Sequence, residues 1–288
     1  MSRASSASDW RYALASAVGR SHLATGTPCQ DASACETVSQ ADASALIAVV
    51  SDGAGSAPLA EVGSRFACQV VTEELRAVLA GGGGVAALDR DFALGALERL
   101  QHALARLARR AGRPVRDFAC TLLFAAADER SASFAQIGDG AIVVSTGPRD
   151  YGWVFWPQQG EYVNTTYFAT EERAHEHLRF ERRDGSVDEL ALFTDGLQGL
   201  VLDSRRRVAH ARFFEPMFVA VRWARPGRSE GLCRSLERFL GSRAVESRTD
   251  DDKSLVLATR RAAEPRPALP AQSVSPAAAP PRELCEEA

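Results

Sequence analysis

The cysteines of this chain form no regular framework. Six of them are spread over 288 residues without a CxxC pair, so the spacing typical of zinc ribbons and thioredoxin-like redox sites is absent. Isolated thiols of this kind are typical of proteins in a reducing compartment. We therefore expect a cytoplasmic protein with reduced cysteines.

Long apolar runs and a strong charge of either sign are missing as well. No stretch approaches the roughly 20 apolar residues of a membrane-spanning helix, and the N-terminus "MSRASSASDWRYALASAVGRSH" lacks the apolar core of a signal peptide. A net charge of −3 gives no general attraction to nucleic acid or anionic membranes. We expect neither of these as a partner.

Large apolar residues are scarce in the last segment, residues 262–288, which is rich in proline and alanine. Such a segment cannot bury enough surface to offset the entropy lost on ordering, so it is predicted to be a disordered tail. The glycine run at 79–87 lies between two helical patterns and is interpreted as their loop. The remaining residues, 8–261, are predicted to form one folded domain.

Apolar periodicity predicts several strands and four amphipathic helices. Two consecutive helices followed by a run of hairpins favour an α+β fold, in which antiparallel sheets are covered by helices. The predicted strands span residues 11–19, 45–52, 120–128, 131–139, 140–146, 152–157, 189–195 and 253–260, and the predicted helices span 58–80, 91–112, 211–223 and 228–242.

The dipeptide Asp-Gly occurs at 52–53, 139–140, 184–185 and 195–196. It is the strongest short signal for a tight turn, and the polar neighbours of Asp184 predict a plain turn there. The other three pairs each follow an apolar strand directly, in "LIAVVSDG", "FAQIGDG" and "LALFTDG". Of these, only the second fits a hairpin equally well.

Carboxylates at several strand ends point to a metal site. Strand ends on one side of a sheet converge, and another acidic run, "TDDDKS", begins the last predicted strand. Converging carboxylates repel one another unless a cation lies between them. Oxygen ligands suit Mg²⁺ or Mn²⁺ better than zinc. The pattern therefore predicts a divalent-metal site built on strand ends.

Seven motifs follow one another along the chain. They are "GRSHLATGTPCQDAS" (19–33), "VVSDGAGSAPLAEVGS" (49–64), "ACTLLFAA" (119–126), "QIGDGAIVV" (136–144), "QQGEYVNTTYFAT" (158–170), "LFTDGLQGL" (192–200) and "DDKSLVLA" (251–258). In this order they resemble the metal-dependent protein phosphatases of the PP2C (PPM) family, in particular its bacterial stand-alone branch. The resemblance implies a four-layer α-β-β-α sandwich, in which two antiparallel sheets are flanked by helices.

The resemblance implies a centre of two Mg²⁺ or Mn²⁺ ions. Asp52 would bridge both ions, and Gly53 would offer its backbone carbonyl to one of them. Asp195 and Asp251 would bind the other ion. In related enzymes the position of Asp139 helps to hold a third, weaker metal.

The implied reaction is hydrolysis of phosphoserine and phosphothreonine in proteins that a bacterial serine/threonine kinase phosphorylates. A water between the two ions would attack phosphorus directly, with Asp31 acting through a metal-bound water. Since no cysteine is followed by arginine at the Cys-x5-Arg spacing, a cysteine phosphatase is disfavoured. Two alternatives stay open: a non-catalytic phosphoprotein-binding member and a hydrolase of small phosphoesters.

The sequence departs from the family pattern at a few positions. Eukaryotic members carry a histidine, interpreted as a general acid, where this chain has Ala54. A metal-bound water or another residue would then protonate the leaving group. His22 is the nearest candidate residue, although a purely structural histidine is equally compatible. Arg20 is the available candidate for binding phosphate. Asp252 replaces a common asparagine. The aromatic segment 151–180 is compatible either with core or with a flap beside the site.

Overall fold

The computed structural model describes residues 10–40, 44–158, 166–261 and 263. The predicted tail at 262–288 therefore lies outside the described residues except for Ala263, and so does most of "QQGEYVNTTYFAT". In chain order the strands are β1 (Arg11–Ala17), β2 (Ala32–Ser39), β3 (Ser44–Ser51), β4 (Leu122–Ala127), β5 (Ser131–Ile137), β6 (Ala141–Gly147), β7 (Asp150–Trp153), β8 (Arg179–Asp184), β9 (Glu189–Phe193), β10 (Leu202–Asp203), β11 (Val208–Ala209), β12 (Gly227–Arg228) and β13 (Lys253–Thr259).

The helices between these strands differ greatly in length. In chain order they are α1 (Arg20–Thr25), α2 (Ala60–Ala80), α3 (Arg90–Ala111), α4 (Ala174–His177), α5 (Gln198–Val201), α6 (Ala211–Arg222), α7 (Glu230–Leu240) and α8 (Arg243–Glu246), with 3-10 turns at Val85–Ala87, Val115–Phe118 and Asp195–Leu197. Helix α3 is capped at its N-terminus by Asp89, whose side chain accepts a hydrogen bond from the Phe92 N–H. It is capped at its C-terminus by Gly112, which adopts the left-handed conformation. Within the described residues, no helix is both long and apolar enough to cross a membrane.

Two sheets form the centre of the fold. One has the order β12-β1-β13-β9-β6-β7, and the other has the order β2-β3-β4-β5-β8. Neighbouring strands pair antiparallel, as predicted, except that the short β12 pairs parallel with β1. A separate hairpin joins β10 to β11.

Alternation along β3 shows how the layers stack. Leu46, Ala48 and Val50 face the other sheet and contribute to the core between the sheets. Ile47 and Val49 face α2 and α3 on the outside. Because both faces are covered, the strand is a continuous apolar run rather than an alternating one.

The second sheet is covered in the same way by the later helices. Leu255 and Leu257 of β13 contact the apolar face of α6 and α7, while Val256 and Ala258 point into the core between the sheets. The four layers are therefore helices, sheet, sheet and helices. The predicted fold class is confirmed.

Some local predictions were wrong. The strand predicted at 131–139 ends at Ile137, and the following Gly138–Gly140 segment is no hairpin, because β5 and β6 lie in different sheets. Asp184-Gly185 is a turn, with Gly185 at φ +101°, but it too connects strands of different sheets. Apolar periodicity missed β2 and α1, since both have weak apolar patterns.

Sheet register brings the acidic motifs to one end of the sandwich. The end of β3 lies beside the start of β2, where Ser51 pairs with Ala32. The end of β9 lies beside the start of β13, where Phe193 pairs with Leu255. Phe193 also pairs with Ala141 at the start of β6. Residues that flank these strands therefore converge.

Candidate metal centre

Asp52 lies immediately after β3, and its backbone is held by hydrogen bonds to Thr121, the residue before β4. Its N–H donates to Thr121 Oγ1 at 2.9 Å, and its carbonyl accepts from the Thr121 N–H at 2.8 Å. The next N–H, that of Gly53, donates to the Gln30 carbonyl at 3.1 Å. A Cβ on Gly53 would lie 2.7 Å from that carbonyl oxygen and 2.8 Å from the Ala60 Cβ. Only glycine allows this close approach.

Asp52, Asp139 and Asp195 form a carboxylate cluster. One oxygen from each of the three lies within 4.8 Å of the others. Oδ1 of Asp139 and Oδ1 of Asp195 are buried and have no hydrogen-bond partner in the part of the chain that the structure describes. Buried carboxylate oxygens without a donor are costly unless a cation neutralises them.

The electrostatics of the cluster agree with that geometry. Burial raises the pKa of Asp52 well above its usual range, and the charges of Asp31 and Asp195 raise it further. Burial, followed by the charges of Asp139 and Asp251, raises the pKa of Asp195 to about 7. A divalent cation among these groups would reverse the effect, because it favours the ionised form of each carboxyl.

Asp31 lies behind the cluster, just before β2. Its side chain is buried, Oδ2 accepts a hydrogen bond from Thr194 Oγ1 at 2.7 Å, and Oδ1 has no partner among the described residues. Burial raises its pKa, and the charges of Asp252 and Asp195 act in the same direction. Asp31 therefore adds a further buried carboxyl group that is held in one orientation.

Two aspartates of the acidic run before β13 have different surroundings. Asp252 is buried, and its carboxylate accepts hydrogen bonds from the Gly19 N–H at 2.6 Å, the Gln30 N–H at 2.5 Å and His22 Nδ1 at 2.9 Å. It therefore ties the first motif to β13. Asp251 is exposed and lines the same cavity as the carboxylate cluster.

That cavity has a volume of about 450 Å³ and opens to solvent on one side. His22 and Ala54 line it together with Asp52, Asp139, Asp195 and Asp251. Ala54 brings no titratable side chain to the cavity. The imidazole that lines it belongs to His22. Phe168 lines the cavity too, so the aromatic segment does contribute to its wall.

Arg20 is not brought to the cavity. It lies at the start of α1, two residues before His22, and its side chain is exposed and does not line the cavity wall. The structure thus gives no support to phosphate binding by this residue. Helix α1 presents His22 inward and Arg20 to solvent, because residues two apart on a helix lie on different faces.

Several residues of the site were missed by sequence reasoning. Thr194 orients Asp31, and it also accepts from the Ser254 N–H at 2.9 Å. Gln198 donates to the backbone carbonyl of Asp139 at 2.6 Å. Their positions, one residue before and three residues after Asp195, are the only sequence signal that could have found them.

An antiparallel double sheet with flanking helices and a carboxylate cluster at one end is the architecture of the metal-dependent protein phosphatases. Residues 18–241 match the family described as Protein phosphatase 2C. The chain belongs to this family, whose members are serine/threonine protein phosphatases. The predictions of family, fold class and enzyme class are confirmed.

Individual relatives agree with this assignment. Serine/threonine-protein phosphatase 3 of Escherichia coli (strain K12) is 35% identical over 250 residues, which cover 86% of this chain and 98% of that protein. The crystal structure of the serine/threonine phosphatase Stp1 from Staphylococcus aureus has a TM-score of 0.57 at 16% identity and covers 86% of this chain and 94% of its own. A crystal structure of RsbX in complex with magnesium has a TM-score of 0.50 at 12% identity, covering 87% and 95%. At such identities the two structures show the fold alone.

Proposed function

We propose that this chain hydrolyses phosphoserine and phosphothreonine in proteins at the cavity lined by Asp52, Asp139, Asp195 and Asp251. The observation that carries the proposal is the carboxylate cluster: three carboxylate oxygens within 4.8 Å of one another, two of the side chains with a buried oxygen that lacks a donor among the described residues. Clusters of strongly perturbed carboxyl groups are typical of functional sites, and a bound cation would offset the repulsion among them.

The donor set fits Mn²⁺ or Mg²⁺, since it consists of carboxylate and backbone oxygens. Asp52 with the Gly53 carbonyl would hold one ion, Asp52 with Asp195 and Asp251 the second, and Asp139 would help to hold a third. A magnesium complex of the related fold RsbX supports this choice. Bound divalent cations lower the pKa of a water molecule and neutralise charge on phosphoryl oxygens.

The chain's own residues would supply orientation and a proton. Because a carboxylate only accepts hydrogen bonds, the proton of the His22–Asp252 contact lies on Nδ1 of the imidazole. Nε2 would carry the second proton when the ring is an imidazolium, and transfer of that proton to the departing serine or threonine oxygen would leave the neutral ring with its proton on Nδ1. Asp31, fixed by Thr194, would orient water next to the cluster.

The shape of the cavity favours a protein substrate. It is open to solvent on one side, so a phosphorylated side chain can enter while its backbone stays outside. Since the relatives above include phosphatases of bacteria, we infer that the substrates are proteins phosphorylated by a bacterial serine/threonine kinase.

The test is hydrolysis of p-nitrophenyl phosphate and of a phosphothreonine peptide with Mn²⁺, with and without EDTA. Asp52→Asn and Asp195→Asn should each lower kcat at least a hundredfold. Asp184→Asn is the matched control, because Asp184 is also followed by glycine but its side chain is exposed at the end of β8. Metal-independent turnover, or full activity of either cluster variant, would contradict the mechanism. Activity on p-nitrophenyl phosphate alone would favour a hydrolase of small phosphoesters. No activity on either substrate would favour a non-catalytic phosphoprotein-binding member of the family.

A further inference from the structure

Two exposed arginine side chains and two half-buried tryptophan side chains form a second cluster outside the cavity. We call it the arginine–tryptophan patch, and it consists of Trp153, Trp156, Arg179 and Arg207. Arg207 belongs to the loop between β10 and β11, in the run "SRRR". None of these four residues was assigned a role above.

Arg207 is held in a fixed position. Its Cζ lies 5.3 Å from the centre of the Trp153 ring and 5.2 Å from that of Trp156. Trp153 Nε1 donates to the Arg207 carbonyl at 2.7 Å. The backbone of Arg207 has φ +53°, a left-handed conformation that is uncommon for a residue with a side chain. Such a conformation persists only where surrounding contacts impose it.

Arg179 brings a second positive charge to the same place. Its Nη1 donates to the Trp156 carbonyl at 2.8 Å. Burial lowers its pKa, and the nearby charge of Arg207 lowers it further. Within the described residues neither guanidinium forms an ion pair with a carboxylate. Asp203, the acid of the hairpin, uses Oδ1 to accept from the backbone N–H groups of Arg205 and Arg206.

Two hydrogen bonds link the segments that carry the patch to the neighbourhood of Asp139. Two residues after Trp156, Gln158 accepts a hydrogen bond from the Gly138 N–H at 2.6 Å, directly before Asp139. Gln198 of α5 donates to the Asp139 carbonyl, and α5 leads into β10 and the arginine loop. Both segments therefore lead to the patch from the Asp139–Asp195 side of the carboxylate cluster.

We propose that the arginine–tryptophan patch binds acidic residues of the protein substrate that flank the phosphorylated residue. A guanidinium stacked on tryptophan keeps its N–H edge free for a carboxylate. Two neighbouring cations without carboxylate partners are stabilised when an anion binds between them. This inference rests on the proposed function, because it assigns the substrate class of the same site.

The test compares two phosphothreonine peptides. One has three glutamates distributed on both sides of the phosphothreonine, and the other has glutamine at the same three positions. The wild type should prefer the acidic peptide by about tenfold in kcat/KM at low salt, and the preference should shrink as salt rises. The double variant Arg179→Gln/Arg207→Gln should lose most of this preference. Its activity on p-nitrophenyl phosphate should stay within about twofold, because that molecule is too small to reach the patch.

Arg106→Gln is the matched control, since Arg106 is exposed on α3 in the opposite helical layer. This variant should leave kcat/KM unchanged for both peptides. Equal kcat/KM for both peptides, or an undiminished preference in the double variant, would overturn the proposal. Binding of the fluorescein-labelled acidic peptide, measured by anisotropy, reads out the patch without turnover. If no substrate were hydrolysed, the proposed function would fail, while arginine-dependent binding would still support the patch and its absence would reject it.

Discussion

His22 Nδ1 lies 2.9 Å from Asp252 Oδ2, and the same carboxylate also accepts from the backbone N–H groups of Gly19 and Gln30. One buried side chain thus fixes both the histidine of the cavity and the loop that carries Asp31. The histidine that eukaryotic members place after the bridging Asp-Gly is absent here, where Ala54 stands. A residue from a different segment of the chain occupies the cavity instead.

His22→Gln should therefore affect the two substrates differently. A serine or threonine oxygen leaves poorly unless it is protonated, whereas nitrophenolate leaves without a proton. We expect kcat on the phosphothreonine peptide to fall by about a hundredfold, and kcat on p-nitrophenyl phosphate to fall by less than threefold. Steady-state kinetics with both substrates measure this split, and an equal loss on both would show that His22 is not the acid.

Asp252→Ala should destabilise the fold more than Asp250→Ala, a substitution at a nearby exposed residue. The substitution leaves two backbone N–H groups and an imidazole without their acceptor, at a cost of about 2–4 kcal/mol in the free energy of unfolding. Asp250→Ala is the control, because the Asp250 side chain is exposed. Urea unfolding of the metal-free proteins compares the two. Equal midpoints would contradict a clamping role for Asp252.

The metal-free protein should lose stability as pH rises through about 7. The folded-state pKa of Asp195 is raised to about 7 from a usual value of 3.8, so its contribution is fully present below pH 3.8 and is lost as the group ionises. A bound cation favours the ionised carboxyls. Mn²⁺ should therefore raise Tm by about 5 °C more at pH 8 than at pH 6.

Thermal unfolding with and without Mn²⁺ at the two pH values tests this linkage. Asp195→Asn cannot ionise, so the metal-free variant should show a smaller loss of Tm between pH 6 and pH 8 than the wild type. A metal effect that is the same at both pH values would contradict the linkage.

A buried ion-pair network at the opposite end of β9 from Asp195 should matter for stability alone. Glu189 is fully buried and accepts from Arg222 Nε and Nη2, each at 2.7 Å, and from Arg261 Nη1 at 3.2 Å. Arg222→Leu leaves the carboxylate with Arg261 and the hydroxyls of Tyr151 and Thr259 as partners. Loss of the two-bond contact with the Arg222 guanidinium should cost about 3 kcal/mol in the free energy of unfolding.

Two further variants show whether the loss of stability comes from an incompletely paired buried charge. The double variant Glu189→Leu/Arg222→Leu should recover part of the loss, because it removes the buried carboxylate as well. Arg228→Leu breaks the exposed pair with Glu230, and it should cost less than about 1 kcal/mol. A double variant no more stable than Arg222→Leu alone would contradict the explanation.

The long elements could be predicted from the sequence because their signals are local. The apolar stripe of α3 repeats at helical spacing, and the continuous apolar run of β3 fits a strand covered on both faces. Four layers follow from such elements, since each apolar face needs a partner. The short α1 and the weakly patterned β2 carry no such signal, and their positions depend on contacts with the rest of the fold.

The aspartates of the site were identifiable for a similar reason. Asp52 and Asp195 interrupt apolar strands with a charge, which is unfavourable without a cation, and this makes them visible in a linear sequence. Thr194, Gln198 and Asp252 act through hydrogen bonds, and polar residues beside a turn are too common to single out.

The amino-acid sequence alone shows which segments are apolar and where charges interrupt them, and it therefore predicts carboxylates at several strand ends. Which of these groups meet depends on how the segments pack. Packing places oxygens of Asp52, Asp139 and Asp195 within 4.8 Å of one another, and it turns Asp252 inward while Arg20 stays in solvent. It also brings together Trp153, Trp156, Arg179 and Arg207 from three distant segments. Periodicity reports the face that a residue occupies, whereas contacts between segments depend on the packing of the whole chain.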